Sequence, residues 1–336
     1  MLREMRNYRL LWAGGLILLL GFAAAALCLG QYRIAPAAVL RALAGAPGVP
    51  PNDRTVIFKV RLPRILLAML AGCGMAVSGA TFQSLFSNPL ATPDTLGTAN
   101  GASFGAALGL LLGLPALGVQ LFALVFGIAA VALVFLVTAE GGSGRRSMMM
   151  VILAGMVISA LFSALVSLIK YAADPQDTLP AITFWLMGSL SGTTFRSLLF
   201  GAPLIMAGTL LLWLLRFRMN TLSLSEDEAR SLGLNLPLVR GLVIGASAAV
   251  TAAVVSLCGV IGWVGLLVPH LVRMAVGNDN RRIIPASMVA GALFLLVVDT
   301  AARCAAKAEI PVSILTSVIG APLFILLLRK TGGIRA

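Results

Sequence analysis

The chain has 336 residues, 59% of them hydrophobic and only 11% charged, with a formal net charge of +13. Soluble domains carry roughly 25% charged residues, so this composition excludes a soluble globular protein, and no compact basic domain is present to bind nucleic acid. A single histidine, His270, and four widely spaced cysteines (Cys28, Cys73, Cys258, Cys304) exclude a multi-histidine metal site and provide no pair with redox or metal-ligand spacing.

A membrane-spanning helix needs about 20 mostly apolar residues. About ten such runs follow one another at 9–30, 65–86, 98–114, 115–139, 148–170, 197–215, 241–258, 259–276, 283–302 and 311–328. They leave little for a soluble part. Residues 1–336 are therefore expected to form one all-α polytopic membrane domain of about ten transmembrane helices, with cytoplasmic N- and C-termini. The first run, preceded by Arg3, Arg6 and Arg9, imitates a signal peptide. It is long enough to span, however, and Leu27 rather than a small residue precedes Cys28, so a retained helix is expected.

With the N-terminus inside, 15 arginines and lysines fall on the inner face and 10 on the outer, in the direction of the positive-inside rule. Six of the outer ten crowd between Arg33 and Arg64. In this outer segment, residues 31–64, Pro36, Pro47, Pro50 and Pro51 are expected to break any long helix. Its arginines either snorkel to headgroups or form a docking patch for an acidic partner.

In the second run, Gly72, Gly74, Ser78 and Gly79 permit close helix contact. Asn88-Pro89-Leu90 should end or bend that helix, because proline disfavours helical geometry in the residue before it. Gly97, Gly101, Gly105, Gly109 and Gly113 then recur every four residues, a side-chain-free stripe for helix packing. Glu140–Ser147 is a short basic inner turn without the phosphate-loop pattern, and the methionines at 148–150 read as lipid-facing filler. Around Trp185, Ile182–Met187 suits a short surface helix.

The segment 220–240 is the most soluble-looking inner stretch. Ser225 and Glu228 make a capping box, Gly233 is a C-terminal stop, and Pro237 is expected to start a second short helix. His270 beside Pro269 reads as an interface residue. Asp299 and Arg303, spaced i, i+4, share a helix face. Ionisable residues at this depth are expected to be paired or functional.

These motifs together resemble the FecCD-type permeases of ABC importers for iron-siderophores, haem and cobalamin. The matching stretches are RLPR (61–64), SGATFQSLFSNPLATPDTLG (78–97), FWLMGSLSG (184–192), LSLSEDEARSLGL (222–234), GWVGLLVPHLVR (262–273), LLVVDTAAR (295–303) and IPVSILTSVIGAPLFILLL (310–328). They run in family order from about residue 55 to the end. Departures are mild: Ser313 stands where glycine is common, and Trp263 where phenylalanine is.

The resemblance implies a cobalamin-importer-permease-like fold and a multi-pass place in the bacterial cytoplasmic membrane. It implies alternating-access import without covalent chemistry, so not an enzyme and with no catalytic or metal-binding residue. It implies that Arg61, Arg64 and Arg303 dock a periplasmic or lipid-anchored binding protein, and that Asn88 and Leu90 form a cytoplasmic gate. Ser225, Glu226, Asp227, Glu228, Ala229, Arg230, Leu232 and Gly233 would couple to two ATPase subunits that carry ATP-Mg. A second permease subunit, the same or related, would complete the pathway. No nucleotide-binding motif stands in the chain itself. The rival from another class, an ion-driven secondary transporter, would need midplane carboxylates, for which Asp299 is the main candidate.

Overall fold

A computed structural model describes residues 2–139, 148–223, 235–306 and 308–330. Its elements are helical throughout: α1 Leu2–Cys28, α2 Pro36–Leu43, α3 Pro51–Thr55, α4 Leu62–Leu85, α5 Thr98–Leu111 and α6 Ala116–Ala139. There follow α7 Met148–Ala172, α8 Thr178–Leu186, α9 Phe195–Met219, α10 Leu236–Cys258, α11 Val264–Val276, α12 Asn280–Ala305 and α13 Val312–Lys330. Ten of these, all but α2, α3 and α8, coincide with the ten apolar runs. Among the described residues, seven helices are long and apolar enough to cross a membrane, and α11 and α13 are shorter apolar ones. The last of the ten, α5, has 14 residues and is diluted by its glycines. In a bilayer every backbone polar group must be satisfied within the segment, which leaves helices as the answer to runs of this length.

The helix α4 is the axis of the bundle. It packs against α9, α10, α11 and α12 and is buried along most of its length, because glycine, alanine and serine on every side let neighbours approach. Gly72 faces Gly291 of α12 and Gly79 faces Gly265 of α11, each so closely that an added Cβ would collide with the partner's carbonyl. Three of the five glycines at four-residue spacing work the same way, whereas Gly113 at φ +67° lies past the end of α5 and meets nothing within 4 Å. Gly101 and Gly105 pack on the backbone at Phe126 and Phe122 of α6, and Gly109 on Val119. Gly97 acts differently. At φ +78° it turns the chain into α5, where a side chain would be strained.

Two expectations are corrected. Pro51 does not break the outer segment; it occupies the first turn of α3, where its missing N–H costs nothing. From there a π-helical turn, Val56–Arg61, runs into α4, making one helical stretch from Pro51 to Leu85. Pro237 likewise starts the long α10, with Asn235 capping Leu238 N–H, rather than a second short helix. By contrast α8 is the short helix expected around Trp185. The basic turn 140–147 lies outside the described residues.

At the head of α11 the chain takes an unusual path. Trp263 has φ +71°, a strained value for a bulky residue. Its ring is held against Gly320 of α13, where any side chain would strike it, and edge-on to Phe324.

Candidate functional site

Two polar clusters break the apolar bundle, one at each end. At the outer end Arg64 of α4 reaches Asp299 of α12. Its Nε donates to both carboxylate oxygens at 3.0 and 3.2 Å, and Nη2 lies 2.9 Å from Oδ1. Its Nη1 meets both oxygens of Glu309 at 2.8 Å. The i, i+4 partner Arg303 is farther from Asp299, with Nε at 4.0 Å from Oδ2. The principal partner of Asp299 is thus a residue of another helix.

Arg303 instead donates through Nη2 to the Ala26 carbonyl at 2.8 Å, and Arg61 donates to the carbonyls of Leu27 and Tyr32. Ala26 and Leu27 are in the last turn of α1, whose carbonyls have no intrahelical partner; two guanidinium groups cap it and complement its dipole. The three arginines therefore clamp α1, α4, α12 and the approach to α13. At 3, 5 and 5% exposure, Arg61, Arg64 and Arg303 are not the free cationic surface expected for docking. Their hydrogen bonds go to carboxylates and main-chain carbonyls inside the chain. Of the six cations between 33 and 64, Arg33, Arg41, Arg54 and Lys59 remain exposed. Alongside, the Tyr32 hydroxyl donates to Asp53 at 2.7 Å, and this bond holds the phenol pKa above its ordinary value.

At the inner end, α4 stops at Leu85. Ser87 at φ +47° reverses the chain, and Asn88 Oδ1 accepts from Leu90 N–H at 2.9 Å, closing the Asn-Pro-Leu turn. Asn88 and Leu90 are both exposed there. Beside the turn lies a cavity of about 660 Å³, lined among others by Ser87, Asn88, His270, Arg273 and Asn278.

One wall of this cavity is a hydrogen-bonded chain. Arg273 of α11 donates to Ser84 Oγ at 2.7 Å, to the Ala80 carbonyl at 3.1 Å and to Gln83 at 3.3 Å. Ser84 Oγ in turn donates to Asn280 Oδ1 at 2.7 Å. Asn280 N–H donates to Asn220 Oδ1 at 2.9 Å, and Asn220 Nδ2 to Asp279 at 2.7 Å. Asn220 follows directly on α9, three residues before the described chain pauses at Ser223. The coupling residues expected beyond it, Ser225, Glu226, Asp227, Glu228, Ala229, Arg230, Leu232 and Gly233, lie outside the described residues.

Replacing Asn280 with leucine removes one of the two acceptors of the buried Ser84 hydroxyl, the other being the Ala80 carbonyl at 2.9 Å, and breaks the link to Asn280. Such a loss costs about 1–3 kcal/mol. A lower thermal midpoint in detergent is the expected reading, with Asn280→Asp tolerated better because it keeps an acceptor.

Reasoning from the sequence missed Glu309, Ser84, Asn280 and Asp94. Asp94, in the short 3₁₀ turn before α5, has its Oδ1 sealed from solvent without a hydrogen-bond partner, and burial raises its pKa to about 6. A carboxyl raised on folding stabilises the fold below its unfolded pKa, and that contribution is lost as pH rises through the folded value. Asp94→Asn is therefore expected to flatten the stability profile between about pH 4 and 6, as thermal midpoints across that range would record. Among the described residues no cluster of three metal-ligating side chains occurs.

Comparison with known proteins gives a consistent picture. The profile of the FecCD transport family matches residues 16–330. The molybdate import system permease protein of Haemophilus influenzae is 44% identical over 94% of each chain. The vitamin B12 import system permease protein of Escherichia coli O157:H7 is 34% identical over 98% of each. A solved metal-chelate type ABC transporter in an inward-facing conformation superposes with a TM-score of 0.87 at 41% identity. It covers 95% of this chain and 98% of its own.

Proposed function

The chain belongs to the FecCD transport family, and from that premise we propose how this ABC importer permease subunit works and what it carries. It moves a metal chelate of the iron-siderophore, haem or cobalamin type across the bacterial cytoplasmic membrane by alternating access. The permease itself catalyses nothing; two partner ATPase subunits bind ATP-Mg, and a second permease subunit, identical or related, faces this one across the pathway.

The observation that carries the mechanism is the link from Asn220 through Asn280 and Ser84 to the end of α4. It joins the start of the 220–240 coupling segment to the turn bearing Asn88 and Leu90, the proposed gate. Movement of the coupling segment would pull on this chain and reshape the inner cavity. At the outer face the exposed Arg33, Arg41, Arg54 and Lys59 offer the binding protein its electrostatic seat.

A second cargo reading has its own support. The identity to the molybdate permease, 44%, exceeds that to the B12 permease, 34%, and favours a small metal oxyanion. Uptake by the complete reconstituted complex in ATP-loaded proteoliposomes separates the two. Uptake of ferric siderophore, haemin or cobalamin without molybdate supports the chelate reading; molybdate alone replaces it. Uptake that collapses with an uncoupler while ATP stays high would overturn ATP-driven import altogether.

A further inference from the structure

The inner end of the bundle carries a second feature, on its outer surface beside α1. Between α1, α11 and α12 runs an apolar crevice of about 180 Å³, with Leu11, Trp12 and Gly15 on one wall and Val272, Ala290 and Leu293 on the others. Tyr8 stands at its mouth, its hydroxyl donating to the Arg282 carbonyl at 3.3 Å. Between its ends α1 leaves most of its apolar surface facing outward.

Around that mouth three guanidinium groups gather on aromatic rings. Arg282 lies 5.9 Å from the Tyr8 ring centre. Arg216 of α9 lies 3.9 Å from the Trp213 ring and 4.4 Å from that of Phe217. Arg281 lies 5.2 Å from the same Phe217 ring. Two like charges thus share one ring. Among the described residues the acid beside them is Asp279, which accepts from Arg281 N–H and from Asn220, and no ion pair joins any of the three arginines to a carboxylate there. Three cations beside one carboxylate leave an excess of positive charge, and an anion placed among them relieves their mutual repulsion.

We infer that this is a binding site for an anionic phospholipid, with an acyl chain in the α1–α11–α12 crevice and the headgroup phosphate between Arg216, Arg281 and Arg282. Basic pockets between transmembrane helices on the cytoplasmic side suit such headgroups. The joined apolar slot selects a lipid over a free anion, and the aromatic rings fix the guanidinium groups at headgroup level. Occupancy ties α1 to α12 at the inner end, as Arg303 does at the outer end.

The test is lipid retention, measured by native mass spectrometry after exchange of the purified protein into nanodiscs of phosphatidylcholine with or without phosphatidylglycerol. Phosphatidylglycerol is expected to be retained in preference to phosphatidylcholine. Each arginine near the surface contributes about fivefold to affinity for an anionic lipid, so Arg281→Gln/Arg282→Gln should weaken retention by about 25-fold. That pair leaves the backbone carbonyl that Tyr8 uses in place, so the fold is spared. The outer-face pair Arg41→Gln/Arg54→Gln should leave retention unchanged. Equal retention of the two lipids, or wild-type retention in the Arg281/Arg282 variant, overturns the site. Displacement of phosphatidylglycerol by inorganic phosphate would assign the arginines to a free anion and overturn it too.

Discussion

Replacing Arg64 with methionine is expected to lower the stability of the folded chain by about 3–5 kcal/mol, the cost of stranding one partner of a buried ion pair. The stranded group is Asp299, whose side chain is 0% exposed and whose other cation, Arg303, stands 4.0 Å away. In detergent the variant should show a much lower thermal midpoint and a poor yield. The same substitution also releases Glu309, but that side chain is 35% exposed and water can take over. Glu309→Gln should therefore cost no more than about 1 kcal/mol, as surface pairs do. The decisive measurement is the double replacement Arg64→Met/Asp299→Leu. Removing both charges and filling the space should recover most of the loss. If the double variant is no more stable than Arg64→Met alone, the ion pair is not what holds α4 to α12 at this end.

The consequence for docking is direct. Charge reversal at Arg61 and Arg64 would weaken attachment of a binding protein, but through collapse of the clamp that presents the outer face. Charge reversal at the exposed Arg41 and Arg54 tests attachment without that confusion, since neither side chain is buried. Loss of docking at unchanged thermal midpoint in the Arg41/Arg54 variant, and at lowered midpoint in the Arg61/Arg64 variant, is the expected pair of results.

The ten helices were legible in the sequence because a bilayer requires long apolar runs, and the chain supplies them one after another. The turn at Asn88-Pro89-Leu90 was legible for a local reason as well: proline constrains its neighbour wherever it stands. Pro51 misled because the same residue that breaks a helix interior begins a helix comfortably, and only the surroundings decide. The fate of Arg64 was hidden by distance along the chain. Its partners lie 235 and 245 residues away, and nothing in RLPR says that two carboxylates will fold onto it. Arg61 and Arg303 were harder still, since their partners are main-chain carbonyls at the end of α1, which every sequence possesses. Ser84 and Asn280 carry no local signal of a partner. Their link appears only when α4 and α12 meet at the inner end. The resemblance to a permease family supplied the roles; the packing shows where each of these side chains stands.

The glycines of α4 set the second large effect. Gly72→Ala would place a methyl group against the Gly291 carbonyl of α12, and Gly79→Ala would place one against the Gly265 carbonyl of α11. Backbone cannot turn aside as a flexible side chain can, so the helices must separate and lose contact along their length. Overpacking of this kind costs about 1–3 kcal/mol, occasionally more. Without a hydrophobic force between helices in lipid, close packing is a main source of their cohesion. Gly21 of α1 is the control. It meets nothing within 4 Å, and alanine there should stabilise the helix by about 0.4–1 kcal/mol. Thermal midpoints of the three variants in one detergent should fall for Gly72→Ala and Gly79→Ala and hold or rise for Gly21→Ala. Gly72 and Gly291 face one another, so the first methyl already opens the gap that the second needs. The double variant Gly72→Ala/Gly291→Ala should cost less than the sum of its singles, the mark of two residues sharing a contact. Additive losses would mean that each glycine acts on its own helix, and α4 would no longer be the axis about which α11 and α12 are placed.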